Sequence, residues 1–139
     1  MKVRRISDSE AEVMPLIRFL LSQTAVCTAE IYLDRAVENV WLTVQHGRIY
    51  VAEDDDGNLI GSLGINSVPK TWYCAEDNRC FLDEWFLVDP SNAGAGPMLL
   101  KAATDESDIP VFVRRLRPGG ASKPGVEADI IVGRVTRIS

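Results

Sequence analysis

The chain has 139 residues, of which 46% are hydrophobic and 25% are charged, and its formal net charge is −5 at pH 7. This length suits one domain with a real core, and the composition excludes the disordered and fibrous classes. No apolar run reaches the ~20 residues that a membrane helix needs, and the start MKVRRISDSEAE lacks the apolar core of a signal peptide, so we expect a cytoplasmic protein without membrane contact.

Charge is distributed unevenly along the chain. Residues 114–139 carry six basic and two acidic side chains, a net +4, whereas the remainder carries −9. An acidic body disfavours general nucleic-acid binding, and we expect none. The basic segment suits a phosphate, an acidic partner or a merely solvated surface, and the sequence leaves these alternatives open.

Neither the cysteines nor the acidic residues form a metal-binding pattern. Cys27, Cys74 and Cys80 have neither zinc-finger spacing nor the number of a disulfide framework, which favours reduced thiols, although the last two could oppose each other across a hairpin. The acidic run 54–56 lacks the alternating ligands of a calcium loop and predicts a turn. We expect no metal.

The chain begins with patterns for a strand and a helix. Lys2 to Ile6 alternates apolar and basic residues, which predicts a strand. Ser9 and Glu12 have the spacing of a capping box before an apolar stripe of helical period. Pro15 removes one internal hydrogen bond, so we expect it to kink this helix or to move its start.

A second helix and a hairpin follow. Apolar residues at helical spacing after Thr28 predict a helix that stops at Gly47. Residues 48–53 and 59–68 are rich in strand formers and flank the turn signal 54–58, which predicts an antiparallel hairpin.

The strongest pattern of the chain runs from Phe81 to Ser107. Phe81 to Val88 predicts a strand, Asp89-Pro90 ends it, and Gly94-Ala95-Gly96 predicts a flexible turn. Pro97 fits the first position of a helix. Glycines let backbone N–H groups approach a ligand, and a helix start adds unpaired donors, so this unit is suited to binding phosphate.

The C-terminal part predicts two further strands. Residues 109–116 should form a strand parallel to the preceding one through a right-handed crossover. Residues 117–125 have the composition of a loop, and residues 126–138 predict a final strand. We therefore expect one domain over 1–139 with its core in 1–116. The final strand could instead pair with a second subunit and form a homodimer.

This order of elements resembles the GNAT superfamily of acetyl-CoA-dependent N-acetyltransferases over Met1 to Arg115. Val88-Asp89-Pro90 and the glycines of 91–96, followed by Leu99-Leu100 in a helix, are similar to the family's cofactor signature. Ser91 departs from it, because the family has Arg or Gln there, and the loop before the glycines is shorter. The resemblance implies an α/β fold with a mixed (α+β) sheet in the order β-α-α-β-β-β-α-β, with the family's final helix replaced by a Pro/Gly loop and a C-terminal strand.

The resemblance also implies a site for acetyl-CoA. The backbone of three strand residues would pair with the pantetheine arm, namely Phe86, Leu87 and Val88. The turn and the helix start would wrap the pyrophosphate through Asn92, Ala93, Gly94, Ala95, Gly96 and Met98. Pro97 would supply no donor there.

Glu84 is the candidate catalytic base. Family members commonly use an acid on this strand, and strict alternation would place Glu84 on the apolar face of Leu82, Phe86 and Val88, where desolvation would raise the pKa of its carboxyl. The alternative role is a structural salt bridge. Asp83 would lie on the opposite face with Trp85, as a surface or partner-binding group.

The catalytic acid has no clear candidate. The helix that carries the family's Tyr is replaced by the Pro/Gly loop, and Tyr32, Tyr50 and Tyr73 suit core or rim positions. His46, the single histidine, suits a helix end. The resemblance implies transfer of an acetyl group to an amine of a small molecule or a protein, and the alternative is a catalytically inactive binding module of the same fold.

Overall fold

The computed structural model describes residues 1–24, 33–69, 79–116 and 128–132. In chain order its elements are β1 (Lys2–Arg5), α1 (Glu10–Thr24), α2 (Leu33–His46), β2 (Arg48–Glu53), β3 (Leu59–Val68), β4 (Cys80–Val88), α3 (Ala95–Glu106), β5 (Val111–Leu116) and β6 (Ala128–Val132). A 3-10 turn at Pro90–Asn92 joins β4 to α3. The predicted order of elements is confirmed for the described residues.

The described strands form one six-stranded sheet in the order β1-β2-β3-β4-β5-β6. Neighbours are antiparallel except β4 and β5, which are parallel and are joined through α3. The predicted mixed-sheet fold is therefore confirmed. The C-terminal strand β6 pairs with β5 of the same chain, and its exchange with a second subunit stays a prediction.

The helices cover both faces of this sheet. Leu99 and Ala103 of α3 pack with Leu63 in one buried cluster, whereas Leu16 of α1 and Val40 of α2 pack in another. Alternation along β2 divides its residues between the two clusters, because successive strand side chains point to opposite faces. The fold is thus three layers, with α1 and α2 on one face and α3 on the other.

Two helix starts test the predictions about proline. The C=O of Ser9 accepts hydrogen bonds from the N–H groups of Glu12 and Val13, at 3.1 and 2.9 Å, so α1 starts at the position that the capping spacing indicates. Pro15 lies inside α1 and does not move that start. Pro97 is the third residue of α3 and not the first, because Gly94 is its N-cap and the helix begins at Ala95. The missing N–H of Pro97 is still harmless, since the first four N–H groups of a helix have no partner within it.

Several predictions fall on positions outside the described residues. These concern Cys27, Cys74, Tyr32, Tyr73, the loop 117–125 and the flanks of the final strand. No helix in the described part is long and apolar enough to cross a membrane.

Candidate functional site

The parallel strands β4 and β5 pair only near their starts. Phe81 pairs with Val111 and Leu82 with Phe112, and the register contains no further pair. Strand β4 nevertheless continues to Val88 and stays paired with β3 over its whole length. Within the described residues, the second half of β4 therefore has an edge that faces away from β3 and lacks a strand partner.

The ladder between β3 and β4 shows which backbone groups lie on that edge. The N–H of Asp89 donates to the C=O of Ile60 at 2.8 Å, so the Val88–Gly61 pair is a non-hydrogen-bonded one. Alternation then directs the N–H and C=O groups of Phe86 and Val88 toward the opening, while Leu87 pairs with Ser62. Of the three predicted pantetheine contacts, Phe86 and Val88 are the two that have backbone groups to offer.

The start of α3 lies beside this edge. An ideal Cβ on Gly96 would lie 3.7 Å from the Phe86 ring and 3.8 Å from a Val88 methyl carbon. Among the described residues, the atom nearest to a Cβ on Gly94 is a Met1 carbon at 3.8 Å, and neither glycine has a positive φ. Within this part of the chain, neither packing nor backbone conformation requires glycine at the two positions, which leaves room for a ligand there.

The other predicted cofactor residues divide into two groups. The Ala95 side chain is fully buried, so only the backbone of this residue could contact a ligand, whereas Met98 is 39% exposed. The Asn92 side chain donates to the Ser91 hydroxyl at 3.2 Å, and the Ala93 C=O accepts from the Gly96 N–H at 3.3 Å. The turn is therefore held by its own hydrogen bonds.

Ser91 has a structural role at this turn. Its N–H and its hydroxyl both donate to one carboxylate oxygen of Asp89, at 3.0 and 2.8 Å. These bonds, the backbone one first, hold the pKa of the Asp89 carboxyl below its usual value. These bonds fix the backbone just after β4. The family that the sequence resembles has a longer side chain at the position of Ser91.

Glu84 lies in a β-bulge, and its predicted face is wrong. Trp85 pairs with Gly64 and Asp83 with Ile65, which are adjacent in β3, so Glu84 is the extra residue of β4. A bulge reverses the alternation that follows it. Phe86 and Val88 accordingly pack toward α3, whereas Glu84 lines a cleft on the α1 and α2 face.

The environment of the two acids is also the reverse of the prediction. Glu84 is exposed and not desolvated, while Asp83 is only 8% exposed and is not a surface group. Asp83 precedes the bulge and so keeps the inward orientation of Phe81, which is buried against α3. The adjacent acids within an apolar run, FLDEWFLV, are the sequence signal for this break in alternation.

The indole ring of Trp85 is held in one position beside Glu84, and the sequence did not predict this role. Its indole N–H donates to the Ser62 hydroxyl at 3.0 Å, and Ser62 in turn donates to the C=O of Tyr50 at 3.0 Å. The ring covers Gly64 so closely that a Cβ there would lie 2.5 Å from it. A glycine opposite a tryptophan in the paired strand is the pattern that could have revealed this contact.

The cleft beside Trp85 lies between α1, α2 and β4 and has a volume of about 160 Å³. Its lining is mostly apolar and consists of Ile17, Leu20, Leu21, Ala36, Asn39, Val40, Glu84, Trp85 and Leu87. Among the described residues of this lining, Glu84 is the only one with an ionisable side chain. The cleft can therefore place one carboxylate next to an apolar surface.

A larger groove of about 340 Å³ lies elsewhere, between β1 and the end of α3. Its polar groups already have partners. Within the lining, Arg5 pairs with Glu106 at 3.2 Å and the Tyr50 hydroxyl donates to Glu106 at 2.5 Å, while Arg4 pairs with Glu12 and Glu53 outside the lining. Burial, followed by the bond to Glu106, raises the pKa of Tyr50 to about 12. Tyr50 is 1% exposed and packs in the cluster on the α3 face, which agrees with a core position, and it does not lie on the face of Glu84.

The remaining candidates add no chemistry. His46 is exposed in the last turn of α2, which agrees with a role at the helix end. In the described ranges no three His, Cys, Asp or Glu side chains are grouped to hold a metal ion.

The fold is similar to solved acetyltransferase structures. A GNAT-family acetyltransferase from Staphylococcus aureus Mu50 has a TM-score of 0.59 at 18% identity, over 83% of this chain and 75% of that one. An aminoglycoside 6'-N-acetyltransferase from Acinetobacter haemolyticus has a TM-score of 0.59 at 15% identity, over 74% and 68%. AAC(6')-Iy, solved with a CoA bisubstrate analogue, has a TM-score of 0.60 at 15% identity, over 75% and 69%.

No protein-family model matches the chain, and no curated protein matches it by sequence. At the identities of the solved structures the similarity establishes the GNAT fold and not an activity or a substrate.

Proposed function

We propose that this chain, which has the fold of GNAT acetyltransferases, binds acetyl-CoA and transfers the acetyl group to an amine. The observation that carries the proposal is the unpaired edge of β4, with Phe86 and Val88 beside the glycine-containing start of α3. A ligand with amide groups and a pyrophosphate matches an edge strand followed by a helix N-terminus. As at the sequence level, we place this activity in the cytoplasm.

The proposed chemistry uses few residues of the chain. Bound acetyl-CoA supplies an acetyl group activated as a thioester. Phe86 and Val88 would hold the arm through backbone hydrogen bonds, and the first turn of α3 would hold the pyrophosphate. Glu84 would accept a proton from the acceptor's ammonium group, directly or through water, because only the neutral amine is nucleophilic. A C–N bond would then form as the C–S bond breaks; of the two protons of the neutral primary amine, one would pass to the thiolate and the other would stay on the amide nitrogen.

Calorimetry with acetyl-CoA tests the binding step. We expect the unchanged protein to bind and Gly96→Trp to lose binding at least tenfold, because the indole would fill the space beside Phe86 and Val88. Gly96→Ala is the matched control, since its Cβ would meet its nearest atom at 3.7 Å, and we expect it to fold and to bind more tightly than Gly96→Trp. No detectable binding at millimolar acetyl-CoA would contradict the proposal and leave the fold intact.

The second candidate function is a binding module of the same fold without turnover. The exposure of Glu84 favours it, because catalytic groups usually act in sites from which water is excluded. Thiol release over a panel of amines separates the two functions. If acetyl-CoA binds but thiol release stays at background with every amine, the chain is a binding module. If an amine raises thiol release and Glu84→Gln lowers it again, the chain is an enzyme.

A further inference from the structure

The cleft lined by Glu84 and Trp85 has the shape and charge of an amphipathic binding site. Its inner residues are buried, with exposed fractions of 5% for Ile17, 9% for Leu20 and 4% for Val40. Glu84, by contrast, is exposed. The cleft therefore presents an apolar floor with one negative charge at its mouth.

The size of the cleft limits what it can hold. Its volume of about 160 Å³ lies below the ~300 Å³ at which sites for drug-sized ligands begin. An apolar cavity of about 150 Å³ is sufficient for benzene. One aromatic ring or one branched aliphatic group matches the described lining, and a molecule of several sugar rings would extend beyond it.

The aromatic wall is held in place before any ligand binds. Trp85 is fixed by its bond to Ser62 and by its contact with Gly64, so its face does not have to be ordered on binding. An aromatic face next to a carboxylate favours an ammonium group that is attached to an apolar body. A polycation gains less, because Glu84 is the only acid among the described lining residues.

We infer that the acceptor of the proposed reaction is a primary amine with a single positive charge and one ring-sized apolar group, and not a polycationic aminoglycoside. This inference rests on the proposed function, because the amine is an acceptor only if the chain transfers an acetyl group. The ammonium group lies at Glu84, and the apolar group lies against Trp85 and the floor formed by α1 and α2. Loss of one proton from the ammonium group gives the neutral nucleophile.

Direct binding of 2-phenylethylamine without acetyl-CoA is the first test. By calorimetry we expect it to bind at least tenfold more tightly than ethanolamine, which has the ammonium group without the ring, and than 2-phenylethanol, which has the ring without the charge. Glu84→Gln should remove the advantage over 2-phenylethanol and leave the binding of 2-phenylethanol unchanged. Equal affinities for 2-phenylethylamine and ethanolamine would overturn the inference.

A variant that fills the cleft is the second test. Ala36→Phe adds a ring to the lining from α2 and should weaken binding of 2-phenylethylamine at least tenfold. Leu42→Phe is the matched control, because it places the same ring on the same helix at a position that is 47% exposed and outside the lining. Unchanged binding in Ala36→Phe would show that the amine binds elsewhere.

The failures of the inference and of the proposed function are distinguishable. If acetyl-CoA binds and an aminoglycoside is acetylated faster than 2-phenylethylamine, the transferase stands and the inference is wrong. If 2-phenylethylamine binds as described while acetyl-CoA does not bind, the ligand class is supported and the transferase is wrong.

Discussion

The hydroxyl of Tyr50 and the carboxylate of Glu106 share a short hydrogen bond between β2 and the end of α3. Tyr50 is 1% exposed, while the Glu106 side chain is 43% exposed and also contacts Arg5 at 3.2 Å. The Tyr50 bond is the main cause that lowers the pKa of the Glu106 carboxyl. This pair ties α3 to the sheet without taking part in the proposed chemistry.

We expect Tyr50→Phe to destabilise the protein by about 1 kcal/mol at neutral pH, which is below the ~1.5–3 kcal/mol of a hydrogen bond to a charged group because Glu106 is partly solvated. The pKa of Glu106 is depressed in the folded state, so its contribution is complete above its usual value of 4.5 and is lost as pH falls through the folded pKa. The stability difference between the two proteins should therefore shrink in acid. Urea unfolding at neutral and at acidic pH measures it, and a difference that is independent of pH would contradict the assignment.

Alkaline titration tests Tyr50 through the ionisation of its own hydroxyl. Its pKa is raised from 10.0 to about 12, so the stability from neutral Tyr50 is present below pH 10 and is lost between those two values. Tyr50→Phe should lack this loss of stability. Tyrosinate absorbance of the folded protein should show one group that titrates near pH 12 and is missing in the variant.

Gly64 is a residue whose lack of a side chain the structure explains. We expect Gly64→Ala to destabilise the protein by about 1 to 3 kcal/mol, because its Cβ would lie 2.5 Å from the Trp85 ring and force it from Ser62. Denaturant unfolding measures the loss, and a shifted tryptophan fluorescence would report the displaced ring. Gly96→Ala is the matched control and should lose no stability; equal stability of the two variants would show that Trp85 moves freely.

At the scale of elements, local patterns were sufficient for most of the fold. The hairpin of β2 and β3 follows from strand formers on both sides of a turn, in which Gly57 has a φ of 82°. The end of α2 next to Gly47 was also predicted from the local pattern, although the glycine is required by a non-local contact, since a Cβ there would lie 2.2 Å from the C=O of Ile65 in β3. Such patterns involve a few adjacent residues, and the sequence predicts the elements that they indicate well.

The candidate site was less predictable, because its geometry depends on pairs of strands. The bulge at Glu84 arises from the register between β3 and β4, and a period-two pattern in β4 alone places Glu84 on the wrong face. The early separation of β4 from β5 likewise involves two elements that the chain connects through α3. The sequence therefore did not show which way these residues face, and their roles in a functional site stay predictions.

At the scale of the whole molecule, the pairing of the C-terminal strand bears on the assembly state, which stays a prediction. Strand β6 pairs with β5 of its own chain, from Phe112–Val132 to Leu116–Ala128. A closed pairing of this kind satisfies the edge of β5 without a second subunit. The homodimer predicted from the sequence would instead require two chains to exchange this strand.

Small-angle scattering measures the assembly state directly. From the pairing of β6 with β5 we expect the mass of a single chain, 15.4 kDa, at every concentration. Twice that mass would establish the homodimer. If a chain truncated before Ala128 then had the mass of a monomer, the final strand would form the contact between the subunits.

Because of the gap between β4 and β5, the exchange rates of individual amide protons should show whether a ligand lies in that gap. In the empty protein the amide protons of Phe86 and Val88 face the gap and should exchange rapidly with solvent, while that of Leu87, bonded to Ser62, should exchange slowly. A molecule that pairs with the edge would slow the first two and leave the third unchanged. Hydrogen exchange resolved by residue along this one strand would then show whether the gap is filled, even when no product forms.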